Sequence, residues 1–495
     1  MRRVGPCKRD RAGMFHARLK RRRFGSIWRG MIGYPAPSAA SAPARWVIAA
    51  ASFGFVVVQL DVTIVNVALP SIARSLGAGI AGLQWVVDAY TLSFAVLLLS
   101  AGVLGDLFGT RRAYLAGFGV FALASLACGL APSAAWLVAA RVTQGVGAAL
   151  VVPNSLALLN HATGHDSRAR AHAVGLWTAA GGIAIGAGPI AGGLLIASLG
   201  WRSIFLVNLP VCAVGAALTV AFAPEPPKPD HRRHMDLPGQ GLAILALFGL
   251  ISAVIEARPL GLGHPLVLGA GLLFLAAGGA FIAVERRSKQ PMLPLRFFAD
   301  PGFNAAIGFG VAVNLAYYGV LFVLALYLQG TRGWTPLQAG LALLPLTATF
   351  IFSNVLSGPM IARFGIRPPM IAGGLIGAAG YWMLLTLGPT TPFSAMLPVF
   401  FLIPFGMGLG VPAMTTSILA GVDKAFSGTA SAVLNAARQA AAAMGVALFG
   451  ALASGGRIVP GLHDATMVSA ALLLTGAGLA WLFIAPAGLA QAARL

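Results

Sequence analysis

The chain has 495 residues, of which 58% are hydrophobic and 9% are charged, and its formal net charge is +21. A water-facing surface of ordinary polarity cannot be built from so few charged residues, which excludes an ordinary soluble globular protein. The composition predicts a protein that works in a lipid bilayer.

Fourteen apolar stretches follow one another between Trp46 and Ala485. Each is about 17 to 27 residues long, the length that a helix needs to cross a ~30 Å hydrocarbon layer. The runs are continuous, whereas barrel strands alternate over ~10 residues, so we predict an all-α membrane protein. The first seven spans are predicted at Trp46–Leu69, Trp85–Gly105, Ala113–Ala131, Ala135–Leu159, Ala173–Leu199, Ile204–Ala223 and Gly239–Ile255. The other seven are predicted at Pro265–Val284, Phe303–Leu328, Leu337–Ile361, Met370–Leu387, Ala395–Leu419, Gly428–Ala453 and Met467–Ala485.

The distribution of basic residues predicts the orientation of these spans. Lysine and arginine favour the cytoplasmic side, and most of the 34 basic residues fall in alternate connections if the N-terminus lies inside. The other connections hold single arginines: Arg74, Arg202, Arg258, Arg332 and Arg457. We therefore expect both termini in the cytoplasm and the protein in the cytoplasmic (inner) membrane. The positive charge then reflects this bias rather than nucleic-acid binding.

The segment before the first span is basic, with its densest cluster at 20–23. We expect this arm, 1–45, to be disordered. Contact of its basic residues with anionic lipid headgroups is one alternative, and initiation of the protein at Met31 is another. The apolar run after it is too long for a cleaved signal peptide. The three cysteines, Cys7, Cys128 and Cys212, are scattered and form neither a disulfide framework nor a zinc site.

A long-range repeat predicts the architecture. Gly102, Phe108, Gly109 and Arg111 at the end of the second span recur at an offset of 256 at the end of the tenth, as Gly358, Phe364, Gly365 and Arg367. Spans nine to fourteen then repeat spans one to six, with two inserted helices between them. The predicted units are 46–223 and 301–487, two pseudo-symmetric six-helix bundles, joined by 224–300. Paired halves around a midplane cavity are typical of transporters.

Four motifs carry a resemblance to a known family. They are Leu60-Asp61-Val-Thr63-Ile-Val-Asn66-Val-Ala-Leu-Pro70 in span one, Gly102 to Arg112 after span two, Leu137-x3-Arg141-x2-Gln144-Gly145-x-Gly147-Ala148-Ala149 in span four, and Gly175-x8-Ala184-x3-Gly188-Pro189-x2-Gly192-Gly193 in span five. On these residues the chain resembles the major facilitator superfamily and, within it, the fourteen-span drug:proton antiporters, across 46–485. It departs from the family pattern at Leu107 and Thr110, where basic residues are common, and at Ala184, which replaces a glycine.

Two of these motifs predict moving parts. The turn with Gly102, Asp106, Gly109 and Arg111 is predicted to form a cytoplasmic gate, because a carboxylate at a helix end can bridge to a neighbouring helix terminus. Simple capping of a solvated turn is the alternative. In span five, the Gly188-Pro189 and Gly192-Gly193 pairs predict a kinked helix in close contact with a neighbour. Ordinary glycine packing is the alternative there.

Asp61, Arg141 and Asp88 are predicted to couple proton movement to transport, because ionisable groups inside a span are costly and functional by default. At 1.5 Å per residue they lie about 12, 9 and 5 Å from the outer ends of their spans. A neighbouring cation and burial change the proton affinity of an acid in opposite directions, so helix motion can switch its proton occupancy. A static Asp61–Arg141 pair, and plain solvation of Asp88, are the alternatives.

The substrate cavity is predicted from polar residues on apolar spans. In span one Gln59, Thr63 and Asn66 share one side and Asp61 points the other way, and the sequence leaves open which side lines the cavity. The candidates in the second half are Asn314, Tyr317, Tyr318, Tyr327 and Arg438. We find no acidic residue inside predicted spans nine to fourteen, which assigns proton transfer to the first half.

These features predict a proton-coupled antiporter that exports amphipathic organic compounds or drugs by alternating access. A dedicated exporter of one metabolite, a facilitator of a polar solute and a channel are alternatives. No catalytic cluster or phosphate-binding Gly-Lys-Ser/Thr loop is present, so we expect no enzyme, no ATP-driven motor and no cofactor beyond the proton gradient. His161, His165 and His172 are expected in a hydrated loop rather than a metal site. The expected partners are small amphipathic substrates, protons and lipid, without nucleic acid, and the expected state is a monomer.

Overall fold

The computed structural model describes residues 42–163, 167–225, 236–288, 291, 293–422 and 426–485. The predicted basic arm lies almost entirely outside these residues, as does His165. Fourteen of the described helices are long and apolar enough to cross a membrane, which confirms the predicted number of spans.

We number these helices α1 to α14. The first eight are α1 Ala42–Leu76, α2 Ile80–Phe108, α3 Thr110–Gly129, α4 Ala134–Thr163, α5 Ser167–Leu199, α6 Ser203–Leu206 with Asn208–Phe222, α7 Leu237–Leu260 and α8 Pro265–Arg287. A short 3-10 helix, Leu295–Ala299, precedes the second set. That set is α9 Pro301–Leu326 with a π-helical turn Tyr327–Thr331, α10 Pro336–Ala342 with Leu344–Phe364, α11 Arg367–Met383 with Leu384–Thr386, α12 Phe393–Ala420, α13 Ser427–Ala453 and α14 Ile458–Phe483.

The largest boundary error concerns α14, which begins at Ile458 rather than at Met467. His463 and Asp464 interrupt the apolar pattern there, but polar side chains are tolerated where a helix leaves the hydrocarbon layer. Asp464 thus lies within the first two turns of α14, at the end of the helix and outside the predicted span Met467–Ala485. Its side chain is 46% exposed and pairs with Arg457 at 3.6 Å.

The two sets of six helices pack in the same pattern. In the first, α1 packs on α5 and α6, and α4 packs on both α2 and α3. In the second, α9 packs on α13 and α14, and α12 packs on both α10 and α11. The predicted repeat is therefore present in the packing as well as in the sequence.

Two seams join the halves, α2 against α13 and α5 against α10. The inserted helices α7 and α8 pack on each other, and α7 lies over the first seam, in contact with α2 and α13. The Gln240 side chain of α7 bonds to Ser100 and donates to the Val96 carbonyl at 2.8 Å. At the other end of α7, the Trp85 indole donates to Glu256 at 3.0 Å.

The seams are closed at the end of the bundle that carries the α1–α2 connection. The distribution of basic residues predicts that this end faces outside, and we call it the expected outer end. There the Gln84 amide donates to the Val446 carbonyl of α13 at 3.1 Å and also to that of Ala447. Gln329 donates across the halves to the Val67 carbonyl at 2.8 Å. The structure is thus a state in which the halves are joined at this end.

Candidate transport site

A buried ion pair lies inside the first half. Asp61 on α1 and Arg141 on α4 are 0% and 1% exposed, and the Arg141 Nη1 contacts the Asp61 Oδ2. Both were predicted to act together, and the structure brings them together. The Arg141 Nε donates to the Val86 carbonyl at 3.0 Å, and its guanidinium lies 4.2 Å from the centre of the Tyr90 ring.

The second carboxylate oxygen of Asp61 is also held. The Gln144 Nε2 donates to it at 2.8 Å and the Asn208 Nδ2 at 3.1 Å. Both amides also donate to the Ser125 hydroxyl, at 2.9 and 3.3 Å. We call Asp61, Ser125, Arg141, Gln144 and Asn208 the acid cluster. Helices α1, α3, α4 and α6 each contribute to it.

Sequence reasoning missed Ser125 and Asn208 and placed Gln144 only within a motif. The available signal was a polar residue inside each of two apolar spans, Ser125 in span three and Asn208 in span six. Such residues are expensive in a membrane unless another polar group meets them.

The acid cluster holds one pair of opposite charges inside the first half. Ionised Asp61 compensates the charge of Arg141, and removing one partner of a buried pair leaves an uncompensated charge at a cost of about 3–5 kcal/mol. The ion pair therefore contributes to the packing of the four helices that build the cluster.

Asp88 does not join this cluster. It lies on α2, is 0% exposed, and neither carboxylate oxygen has a hydrogen-bond partner among the described residues. The alternative of plain solvation is therefore wrong for this state. On a helix, Asp88 shares a face with Gln84 and Leu92, which pack towards α13 and α7.

The central cavity lies between the two halves near Arg141. Its volume is about 20 Å³, enough for about one water. Its lining comprises Val62, Val65, Asn66, Val87, Tyr90, Thr91, Arg141, Tyr318, Gln439, Ala442 and Val446. The site is therefore nearly closed in this state.

The structure decides which side of α1 faces the cavity. Asn66 lines it, whereas Thr63 bonds to the Gln59 carbonyl of its own helix at 3.1 Å and meets Gly188 of α5. Asp61 points to the acid cluster. Of the polar stripe, only Asn66 is among the lining residues.

The second-half candidates separate in the same way. Tyr318 lines the central cavity, and Tyr317 stacks edge-on against it with ring centres 5.3 Å apart. Asn314 donates to the Gly310 carbonyl of its own helix at 2.8 Å, which is a structural contact. Tyr327 donates to the Gly388 carbonyl at 2.7 Å, away from the cavity.

The predicted gate turn is held by a carboxylate that the sequence analysis did not consider. Gly109 has φ +104°, a conformation that favours glycine. The Glu225 carboxylate, after α6, accepts the Arg111 backbone N–H at 3.1 Å. Asp106 is half-buried at the end of α2, and Gly102 has no neighbour that a side chain there would meet within 4 Å.

The repeated arginine has the same role in both halves. The Arg111 Nη2 donates to the Val220 carbonyl near the end of α6 at 2.8 Å, and Arg367 donates to the Trp481 carbonyl near the end of α14. Cationic side chains at helix C-termini satisfy carbonyls that have no partner in their own helix. The sequence repeat therefore marks a repeated helix cap.

The glycine pairs of α5 face two different neighbours. A methyl group on Gly192 would lie 2.8 Å from the Ile64 Cγ1 of α1, within the first half. One on Gly193 would lie 2.6 Å from the Leu337 Cα of α10, across the second seam. At the same seam the Pro189 carbonyl meets Gly340. The motif thus packs α5 against both halves at once.

Comparison with known proteins agrees with this architecture. The family model of the Major Facilitator Superfamily matches residues 51–446. The chain is 38% identical over 416 residues to the methylenomycin A resistance protein of Streptomyces coelicolor, covering 84% of this chain and 87% of that protein. It is 40% identical over 405 residues to the multidrug resistance protein Stp of Mycobacterium tuberculosis, covering 81% and 74%. Among solved structures, a bacterial homolog to the human lysosomal transporter Spinster, inward-facing and occupied, matches with a TM-score of 0.64 at 17% identity, covering 89% of this chain and 97% of that one.

Proposed function

The chain belongs to the Major Facilitator Superfamily, and on that premise we propose that it is a proton-coupled antiporter which exports amphipathic organic compounds, including drugs, across the cytoplasmic membrane. The two six-helix bundles rock about the central cavity, which opens to each side in turn. The names of its relatives as resistance proteins support export as the direction.

The observation that carries the proton-coupling part is the Asp61–Arg141 pair. Both side chains are buried in the first half, and the carboxylate is bonded from α4 and α6. Arg141 also lines the central cavity, so a change at Asp61 reaches the substrate site through one side chain. Asp88, buried and without a partner in the described residues, is the next acid in line for the proton.

We infer that the structure corresponds to a state closed to the outside. The amide bonds of Gln84 and Gln329 join the halves at the expected outer end. Opening of this outer end would complete the transport cycle.

A survival screen tests export and its breadth. The intact chain is produced in a bacterium that lacks its own efflux pumps, and growth is measured against chemically diverse toxic compounds. The proposal expects a raised inhibitory concentration for several unrelated amphipathic compounds, and Asp61→Asn should abolish the gain. Protection against a single compound would favour the dedicated exporter, and protection against none would refute drug export.

A further inference from the structure

A second arginine, Arg438 on α13, lies inside the membrane-spanning part. Its side chain is half-buried, and its Nε has no hydrogen-bond partner in the described part of the chain. It is close enough to Tyr318 on α9 for electrostatic interaction. One turn along the same face of α13, Ala442 lines the central cavity together with Tyr318. Arg438 therefore stands beside the wall of that cavity.

Arg141, which lines the cavity, and Arg438, which lies beside its wall, differ in their surroundings. Arg141 is compensated by Asp61, whereas none of the described carboxylates forms an ion pair with Arg438. Asp464, within the first two turns of α14, pairs with Arg457 instead. Asp88 is not among the lining residues. Among the described residues, Arg438 thus places beside the cavity wall a positive charge that no protein carboxylate pairs with.

An anion from outside the protein suits this place. A partly desolvated charge without a partner is unfavourable, and a guanidinium binds a carboxylate with strong, charge-assisted bonds. The rest of the lining is mainly apolar, with the side chains of Val62, Val87 and Val446 and the rings of Tyr90 and Tyr318. The cavity is nearly closed in this state, and once it opens such walls would contact the apolar or aromatic body of a substrate.

We propose that Arg438 binds the anionic group of the exported compound, so that the cavity selects amphipathic carboxylates over cations of the same shape. This assignment rests on the proposed export function and names its substrate class.

Equilibrium dialysis of the purified full chain in lipid nanodiscs tests the proposal with three probes of one shape: 2-naphthoate, 2-naphthamide and 2-naphthylmethylammonium. Empty nanodiscs correct for partition into lipid. The wild-type chain should bind naphthoate at least about tenfold more tightly than naphthamide, and the ammonium probe most weakly. In Arg438→Gln the ratio of the naphthoate and naphthamide affinities should fall at least about tenfold.

Two further variants separate charge from folding. Arg438→Lys keeps the cation and should keep the preference for naphthoate, whereas Arg457→Gln removes a half-exposed arginine away from the cavity and should leave the ratio unchanged. The proposal is overturned if the ammonium probe binds best, if naphthoate does not bind, if Arg438→Gln leaves the ratio intact, or if Arg438→Lys loses the preference. A failure of the proposed export function would appear in a different measurement: the survival screen would show no protection, whichever probe the protein prefers.

Discussion

Replacing Asp61 by asparagine should destabilise the protein as well as uncouple it. The carboxylate is 0% exposed and accepts from Arg141, Gln144 and Asn208. Asparagine has nearly the same shape but leaves the guanidinium buried without a counter-charge, which should cost about 3–5 kcal/mol of folding free energy. Unfolding of the detergent-purified protein should therefore begin at a clearly lower temperature.

The double variant Asp61→Asn with Arg141→Gln separates stability from coupling. It removes both charges, so most of the lost stability should return, while proton-driven export should stay absent. A double-mutant cycle built from the two single variants and the double variant gives the coupling energy of the pair. If Asp61→Asn alone unfolds at the same temperature as the wild type, the Asp61–Arg141 pair does not stabilise the fold by the predicted amount.

Three further predictions concern the helix contacts. Gly192→Val should cost about 1–3 kcal/mol by overpacking α5 against α1 and should impair export. Its control is Gly182→Val on the same helix, where a side chain would meet no atom within 4 Å and should be tolerated. Equal export by both variants would refute close packing at Gly192. Gln84→Leu removes the hydrogen bonds from the amide to α13, each worth about 1 kcal/mol. A cysteine placed at Thr91 should then react faster with a membrane-impermeant thiol reagent added outside. Unchanged labelling would mean that Gln84 does not hold the expected outer end closed. Asp106→Asn should impair export at normal membrane levels if the turn is a gate, and full activity in this variant would remove that role.

The sequence alone predicted the fourteen spans and the repeat, because a bilayer imposes a minimum length on each apolar run. It also predicted that Asp61 and Arg141 act together, since both are costly charges at similar depth. It could not predict Asn208 or Ser125 as partners, because a polar residue in an apolar span does not reveal which neighbour it meets. The glutamine bonds across the halves were missed for a related reason: their acceptors are backbone carbonyls, which any sequence supplies.

The start of α14 shows a different limit. An apolar-window criterion ends where polar residues begin, but the helix itself continues through His463 and Asp464 to Ile458. The same effect shortened the predicted α1, which continues past Pro70 to Leu76. Helix ends near the interface are set by backbone hydrogen bonding rather than by hydropathy.

We propose that a proton bound at Asp61 drives export, and proton-driven transport in vesicles tests this role. Purified protein is reconstituted into liposomes, a pH difference is imposed and then collapsed, and accumulation of a substrate found in the survival screen is followed. The wild type should accumulate substrate in proportion to the imposed pH difference, and the accumulation should vanish when the pH difference collapses. The double variant Asp61→Asn with Arg141→Gln should not accumulate substrate against its gradient at any pH difference. If that variant still concentrates substrate in proportion to the pH difference, the proton travels by another route and the role assigned to the acid cluster is wrong.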